Sequence, residues 1–476
     1  MIPHKKEILV QLIRMFNGPN FLENTRQIFH EHRQDKQGLK EIAVCRALAM
    51  SIFGLALERD DGKEPLDQCT QRALEREKPS LPPLTVLHCA CNGCRASHIH
   101  VTDLCQNCTK KPCLAACRFN AISNDGKRSI IDTKNCKKCS ACLRACPYGA
   151  IVKTIVPCEN ACPIDAIAKD EKGHAVIDFA KCIGCGKCMA ACPFESIQVR
   201  SQIIDVLRAI KSKKKVIALM APALLGQFKC SAEQLHTAMK KIGFSFVYEV
   251  AIGAESTSFH EAKDLEERLA RGEKFMTTSC CAAYNNLVKK HIPELEPFVS
   301  SSGTPLFYTA EYVREKHGDG VLVFISPCLA KYEEVFANKK VDFVLSCEEI
   351  EALLEAFSII PGECEEEAFP YQTAQEAREF ATSGGVSRAV QSVLDPNGKE
   401  VTFTPINGLD REVVKDLKRF AKARECERGT VLEVMSCQGG CIGGGLVCCP
   451  VATALRQVKN YGEKGLPLSD KKPENA

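Results

Sequence analysis

Residues 85–200 hold seventeen of the chain's thirty cysteines, and most of them stand at short, regular spacings. Four sub-motifs repeat along this segment: CQNCTKKPCLAAC, CKKCSACLRACP, the truncated PCENACP and CIGCGKCMAACP. Each is followed by a short apolar tail that is typical of a strand: FNAI, YGAI, IDAI and FESI. A chain of 476 residues is too long for a small secreted disulfide scaffold, so thiols repeated in this way indicate metal clusters.

The second and fourth sub-motifs match the C-x2-C-x2-C-x3-C-P run of bacterial ferredoxins, in which the fourth cysteine binds the other cluster of a pair. Zinc knuckles are the alternative, but the internal repeat argues against them. Pairing the first sub-motif with the second, and the third with the fourth, predicts three [4Fe-4S] clusters. Their ligand sets are Cys105, Cys108, Cys113 with Cys146; Cys136, Cys139, Cys142 with Cys117; and Cys182, Cys185, Cys188 with Cys162.

This pairing leaves Cys158 and Cys192 two ligands short of a fourth cluster. The upstream stretch HCACNGC offers candidates for the missing ligands: His88, Cys89, Cys91 and Cys94. We therefore expect three or four accessory clusters. The alternative is that HCACNGC binds a metal of its own, or none.

The rest of the chain predicts an α+β multidomain protein. Helical periodicity predicts a helical domain over 1–84, which precedes the ferredoxin-like domain of 85–200. Apolar runs such as VIALMAP and VLVFISP alternate with amphipathic helices over 213–465, which predicts an α/β domain with buried parallel sheet. Residues 466–476 are expected to form a polar tail.

Charge and hydropathy bear on partners and location. The net charge is +4 and acids are interspersed with bases, so we expect no nucleic-acid partner. No apolar run is long enough to span a membrane. The N-terminus lacks the features of a signal peptide, so we expect a cytoplasmic protein.

Three further cysteine stretches follow strand-like runs in the α/β region: TTSCCAAY at 277–284, SPCLAKYEE at 326–334 and EVMSCQGGCIGGG at 433–445. Together they resemble, in order and spacing, the three signatures of the [FeFe]-hydrogenases: T-S-C-C, P-C-x-x-K-x-x-E and E-x-M-x-C-x-G-G-C-x-x-G-G-G. The resemblance covers roughly 215–450, and it implies a catalytic domain with two parallel-sheet lobes that interconverts protons and H₂.

The resemblance implies an H-cluster, a [4Fe-4S] cubane joined to a diiron unit that carries CO, cyanide and a dithiolate. Four cysteines would ligate the cubane, and the last would also bridge to the diiron unit: Cys281, Cys328, Cys437 and Cys441. Lys331 would hydrogen-bond a cyanide, and Glu334 would partner that lysine. Pro222 and Met435 would touch the diiron unit. Several glycines would leave it room and offer it backbone N–H groups: Gly439, Gly440, Gly443, Gly444 and Gly445.

The same resemblance implies a proton path. Cys280 would relay protons between the dithiolate and a route to solvent that includes Glu261 and Asp264, two acids three residues apart. Thr304 stands where the family commonly has serine. A solvated helix face is the alternative for the two acids.

Several positions depart from the best-known members of the family. Ala282 replaces a proline after TSCC, and Ser326 replaces a methionine before P-C. LVCCP follows the glycines, which leaves Cys448 and Cys449 without an assigned role. These departures resemble a divergent branch sometimes called group B.

The resemblance implies a ferredoxin or similar low-potential carrier as electron partner, hydrogenase maturation enzymes, and H₂ and protons as substrates. Two other functions compete with the enzyme. A hydrogen sensor of this family usually carries an appended signalling domain, and nothing in the sequence resembles one. An iron–sulfur assembly protein like the eukaryotic Narf relatives generally lacks the lysine and glycine signatures found here.

Overall fold

The structure is a computed structural model that describes residues 5–27, 38–57, 62–79, 82–94, 96–394 and 401–471. The first four residues and 472–476, the end of the predicted polar tail, lie outside the described part of the chain. No helix among the described residues is both long enough and apolar enough to cross a membrane.

The N-terminal region is helical, as its periodicity predicted. The apolar positions Ile8, Leu9, Leu12, Ile13 and Phe16 are all buried on one face of the first helix. They belong to a hydrophobic core that this region shares with part of the α/β domain, so the two are packed together. The helices are α1 (Lys5–Asn17), α2 (Phe21–Gln27), α3 (Leu39–Ile52) and α4 (Leu66–Glu75).

The cysteine-rich region consists of short helices and antiparallel strand pairs. The strands pair as β2–β5, β3–β4, β6–β7 and β1–β8. The elements are β1 (Leu84–Val86), β2 (His98–Val101), α5 (Pro112–Ala115), β3 (Ile122–Asn124), β4 (Ser129–Ile131), α6 (Ala141–Ala145), β5 (Ile151–Thr154), α7 (Pro157–Ala161), β6 (Ile167–Lys169), β7 (Ala175–Ile177), α8 (Lys187–Ala190) and β8 (Ile197–Val199).

The remaining elements build the α/β domain and alternate between strand and helix. They are α9 (Ile203–Lys211), β9 (Val216–Met220), α10 (Pro222–Leu225), α11 (Ala232–Ile242), β10 (Phe246–Glu249), α12 (Ala251–Ala270), β11 (Met276–Thr277), α13 (Ala282–His291), α14 (Pro305–His317), β12 (Val321–Ile325), α15 (Ala330–Asn338), β13 (Phe343–Leu345), α16 (Cys347–Ala356), α17 (Gln375–Glu379), α18 (Gly385–Val393), β14 (Phe403–Asn407), α19 (Arg411–Ala423), β15 (Val431–Met435) and α20 (Val451–Gly462).

Two parallel sheets organise this domain. One has the strand order β10-β9-β12-β13 and the other has the order β11-β15-β14. Strands β9 and β15 are buried along their whole length, which explains the continuous apolar sequence of β9 and the single charged residue, Glu433, of β15. The prediction of two parallel-sheet lobes is confirmed. Because ligands of such sheets bind beyond the carboxyl ends of the strands, these ends are where a site is expected.

The start of the predicted polar tail packs onto the α/β domain instead. Leu468 is fully buried, and its backbone N–H donates to the Glu376 carboxylate at 2.8 Å. Lys471 pairs with Glu255 at 2.8 Å. The start of this segment therefore differs from the free polar tail that the sequence predicted, because two leucines among polar residues gave no periodicity to indicate burial.

Candidate metal centre

The three cysteine signatures of the α/β domain meet in space. Each follows the carboxyl end of a parallel strand: β11 leads to Cys281, β12 leads to Cys328, and β15 leads to Cys437 and Cys441. The two sheets thus direct their strand ends at a common cavity, which these four cysteines line together. A set of residues separated by up to 160 positions in sequence is brought to one place by ordinary parallel-sheet topology.

The cavity is large and mostly apolar. The space between its atoms, counted out to open solvent at the mouth, is about 890 Å³. Seven other residues implied by the resemblance line it: Pro222, Cys280, Lys331, Met435, Gly440, Gly444 and Gly445. Glu334 contributes to the site through Lys331, and Gly439 stands outside the lining.

The chemistry of the four thiols fits iron. Burial raises the pKa of Cys328 to about 11, and it raises the pKa of Cys437 and Cys441 further. The neighbouring thiols add to the effect, because one thiolate disfavours another. Cys328, Cys437 and Cys441 therefore ionise together only when a strong positive charge joins them, and a coordinated metal supplies it.

One buried polar atom on the cavity wall has no partner in the part of the chain that the structure describes. Ser436 is only 2% exposed and lines the cavity between Met435 and Cys437. Its hydroxyl oxygen is buried and makes no hydrogen bond among the described residues. Because buried hydroxyls are normally satisfied, this one indicates a polar group that the cavity is built to receive.

Lys331 and Glu334 form the ion pair that the resemblance implied. Lys331 Nζ lies 2.5 Å from Glu334 Oε2, and both side chains are mostly buried. Burial alone would lower the pKa of Lys331, but the Glu334 carboxylate more than offsets this and raises it. The lysine is therefore a permanent cation on the cavity wall. The Thr304 hydroxyl donates to the other oxygen of Glu334, and it also caps α14.

The glycines after Cys437 are required by the protein's own packing. A Cβ on Gly440, whose φ is +90°, would lie 2.5 Å from Ala381 O. A Cβ on Gly444 would lie 2.5 Å from Pro327 O. The expectation that these N–H groups face the metal group is wrong for four of the five, because they already donate to protein oxygens: Gly439 to Asn407, Gly440 to Cys437, Gly443 to Gly440 and Gly444 to Cys441.

Cys280 and Glu261 occupy the inner end of the expected proton path. Cys280 lines the cavity and is 8% exposed, and Glu261 is fully buried. Burial raises the pKa of Glu261 to about 7. Glu261 Oε1 accepts from the Ser279 N–H at 2.9 Å and lies 3.2 Å from the Ser279 hydroxyl, while Oε2 has no partner among the described residues. The solvated-face alternative is wrong for Glu261.

The outer end of this path differs from the expectation in its hydroxyl groups. Asp264 Oδ1 accepts from Arg268 Nε at 3.1 Å, and its Oδ2 accepts from the Ser301 N–H at 2.9 Å. Ser279 connects this loop to Glu261, since its hydroxyl donates to Ser302 O at 2.8 Å. Thr304 takes no part, because its hydroxyl is bound to Glu334. Sequence reasoning missed Ser279 and Arg268, although Arg268 stands one helical turn beyond Asp264.

Three accessory cavities carry the cysteine sets that the crossed pairing predicted. The first is lined by Cys105, Cys108, Cys113 and Cys146. The second is lined by Cys117, Cys136, Cys139 and Cys142. The third is lined by Cys162, Cys182, Cys185 and Cys188. Cys185 also lines the large cavity, so the third set adjoins the candidate metal centre directly.

The structure separates the three cysteines of HCACNGC. Pairing of β1 with β8 sets this stretch beside Ser196, whose carbonyl accepts from the Leu87 N–H at 2.7 Å. Cys91 and Cys94 pack against the core that contains Cys158. Cys89 packs against the core shared with the helical domain, on the other side. His88 stacks on His174, with ring centroids 5.1 Å apart.

Comparison with known proteins agrees with this geometry. Residues 214–445 match the model of the iron only hydrogenase large subunit, C-terminal domain. Residues 129–152 match a 4Fe-4S binding domain, and residues 152–203 match the LdpA Fe-S cluster-binding domain.

The relatives are distant. Iron hydrogenase 1 of Clostridium pasteurianum is 26% identical, in an alignment that covers 70% of this chain and 67% of that protein. Cytosolic iron-sulfur assembly component 3 of Rattus norvegicus is 24% identical, covering 53% and 68% respectively. A variant of the [FeFe]-hydrogenase from Chlamydomonas reinhardtii superposes with a TM-score of 0.43 at 20% identity, covering 55% of this chain and 88% of that one. The matched domain and the cysteine sets together make the chain an iron-only-hydrogenase-like iron–sulfur protein.

Proposed function

We propose that this protein is an [FeFe]-hydrogenase that catalyses 2 H⁺ + 2 e⁻ ⇌ H₂ at an H-cluster. One observation carries the proposal. A single large cavity is lined by Cys281, Cys328, Cys437 and Cys441, and the same wall presents the Lys331 ammonium and the Cys280 thiol. Four thiols, one fixed cation and one proton donor are the groups that such a centre requires of its protein.

The residues around the cavity have separable tasks. The four cysteines would hold the cubane, and the bound H-cluster would supply the low-valent iron at which H₂ is made or split. Lys331 offers a permanent positive charge to an anionic ligand, in surroundings that strengthen the interaction. Pro222 and Met435 cover the cavity with apolar surface and exclude water.

Protons would reach the cavity through Cys280. Burial raises the pKa of this thiol, and the nearby Glu261 raises it further, so Cys280 stays protonated and able to donate. Glu261 would reload it, since a carboxyl whose pKa is about 7 gives up and takes back a proton near neutral pH. Asp264 and Arg268 would complete the route towards solvent through the Ser279 and Ser301 contacts.

Electrons would pass along the accessory clusters, with a ferredoxin or similar low-potential carrier as their source or destination. The three cysteine-lined cavities would hold three [4Fe-4S] clusters. We assign a fourth to Cys91, Cys94, Cys158 and Cys192, since the first three share one core and Cys192 lies one short turn before Ser196. Maturation enzymes would have to supply the diiron unit, and a cytoplasmic location stays a prediction.

An iron–sulfur assembly function is the second candidate. The similarity to the rat cytosolic iron-sulfur assembly component favours it, because that protein matches at nearly the same identity as the hydrogenase. Under this function the accessory clusters would remain and the diiron unit would be absent. The two candidates therefore differ in one component that can be measured.

Infrared spectroscopy of protein produced together with the maturation enzymes tests the proposal. We expect stretching bands of iron-bound CO and cyanide, and H₂ evolution from a reduced low-potential donor. Cys441→Ser should lose these bands, whereas Cys449→Ser should keep them, because Cys449 stands outside the cavity lining. Matured protein with full cubane content and no such bands would refute the hydrogenase and favour the assembly function.

A further inference from the structure

The charge of the chain is concentrated in one part of it. Residues 96–156, here called the distal lobe, contain ten lysines and arginines against three aspartates and no glutamate. The formal charge of the lobe is therefore +7, which leaves −3 for the rest of the chain, whose total is +4. The whole-chain value conceals this asymmetry.

The distal lobe stands apart from the rest of the protein. It has a hydrophobic core of its own, centred on Ile99 and Ile151 and on the cysteines of the first two cluster sets. Among the residues that the structure describes, the side-chain hydrogen bonds of the lobe stay within it, and so does the one ion pair found there, Arg128 with Asp103. Most of its cations are exposed and have no carboxylate partner within the lobe: Lys110, Arg118, Lys127, Lys134, Lys137, Lys138, Arg144 and Lys153.

One cluster set of the lobe reaches the surface. Among the thirty cysteines only Cys139 is exposed, and it belongs to the set with Cys117, Cys136 and Cys142. Lys137 and Phe119 line the same cavity, and Phe119 is 45% exposed. Lys134 and Lys138 lie close to Lys137 and Cys139 in the sequence. The most accessible thiol of the chain thus shares its cavity with an exposed aromatic ring and an exposed cation, and two more exposed cations adjoin it in sequence.

We propose that this surface docks a small iron–sulfur electron carrier with an acidic face, and that electrons enter the chain at the Cys117–Cys136–Cys139–Cys142 set. The reduced carrier gives up one electron and is oxidised, the centre held by these thiolates is reduced by it, and no bond or proton is exchanged. The unpaired cations attract the acidic face, and Phe119 provides the apolar contact at short range. This inference rests on the proposed function in one respect, which is that the electrons entering here are passed on to the metal centre.

The test follows cluster reduction and needs no H₂ chemistry. A small acidic [2Fe-2S] ferredoxin, reduced photochemically, is mixed with the full cluster-loaded chain, and bleaching of the accessory clusters is recorded by stopped flow. The readout is the ratio of this rate to the rate with a small viologen dye, which needs no docking surface. Electrostatic steering accelerates association by about 10- to 1000-fold, and salt weakens it.

The first test variant is Lys134→Glu/Lys137→Glu/Lys138→Glu. It should lower the ratio of the ferredoxin rate to the dye rate at least about 10-fold at low ionic strength, and it should flatten the salt dependence of that ratio. Arg118→Glu/Lys134→Glu is a second variant with no change inside the Cys136–Cys139 loop, in case the first loses iron. A matched control, Lys418→Glu/Lys422→Glu/Lys459→Glu, changes three exposed lysines of α19 and α20 and should alter the ratio less than about twofold.

Equal effects of the test and control variants would overturn the proposal. So would an unchanged ratio in a lobe variant that retains its iron. Duplex DNA bound by the wild-type chain at physiological salt, and released by the lobe variants, would assign the charge to nucleic acid instead. A chain that makes no H₂ but shows the expected ratios would refute the proposed hydrogenase activity and would still support the proposed docking surface.

Discussion

Replacing Glu261 by glutamine tests the proton path at its buried carboxyl group, whose pKa is raised. Glu261 is fully buried, and its second carboxylate oxygen has no partner within the described residues. Burial raises its pKa from 4.5 to about 7, a preference for the neutral acid worth about 3 kcal/mol. Two groups of Ser279 oppose this at a single oxygen: its N–H donates to Oε1, and its hydroxyl, whose one proton is shared with Ser302 O, lies 3.2 Å from the same atom.

The sign of the pH dependence follows from the direction of the shift. A carboxyl with a raised pKa takes up a proton on folding, so its contribution to stability is complete below pH 4.5 and is lost as the pH rises through about 7. Between pH 5.5 and 8 the wild-type chain should lose about 2 kcal/mol more stability than Glu261→Gln, which cannot ionise.

Infrared difference spectra give the direct measurement. The carbonyl stretch of a buried carboxylic acid should be present at pH 6, disappear with a midpoint near 7 in the wild-type protein, and be missing in Glu261→Gln. Ser279→Ala is the matched control, because removing one donor to the ionised form should move the midpoint upward. A midpoint near 4.5, or one that moves downward in Ser279→Ala, would refute the reasoning.

Three further predictions concern the metal groups. Cys280→Ala should keep the CO and cyanide bands and lose H₂ turnover at least about 100-fold, and near-normal turnover would exclude this thiol as the relay. Cys91→Ser/Cys94→Ser should remove about 4 of about 22 irons, whereas Cys89→Ser should remove none; iron analysis separates the two outcomes. Ser436→Ala should lower the reduction potential of the cubane in redox titrations followed by electron paramagnetic resonance, because a donor to its sulfur atoms is lost; an unchanged potential contradicts that role.

The cysteine sets were predictable because ligand spacing is a local property. Three irons of a cubane are wrapped by one tight loop, so C-x2-C-x2-C identifies the loop without knowledge of the fold. The crossed partners, such as Cys146 for the first set, follow from the helix that continues each loop. The cavities of the structure confirm that these cysteines meet.

The hydroxyl and amide contacts could not be predicted in the same way. Thr304 and Ser279 are both hydroxyl residues near the expected path, and only the folded structure shows that Ser279 contacts Glu261 whereas Thr304 contacts Glu334. The role of the glycines was predicted wrongly for a similar reason. Their number indicates close approach, but the sequence does not say that Ala381 and Pro327 are what they approach.

Two of the departures from the family pattern, Ala282 and Ser326, line the cavity, and all of them spare the ligands. The Ser326 hydroxyl accepts from the Cys328 N–H at 3.2 Å, so this substitution fixes the ligand loop and adds no charge to the cavity. The N–H groups of Cys448 and Cys449 both donate to Gln227, which holds the LVCCP segment outside the lining. The departures at Ala282 and Ser326 therefore change volume or local rigidity at the wall, while the four cysteines, Lys331 and Cys280 keep their places around the cavity. Under the proposed function, differences from the iron-only hydrogenases are expected in rate and direction, and metal binding should be retained.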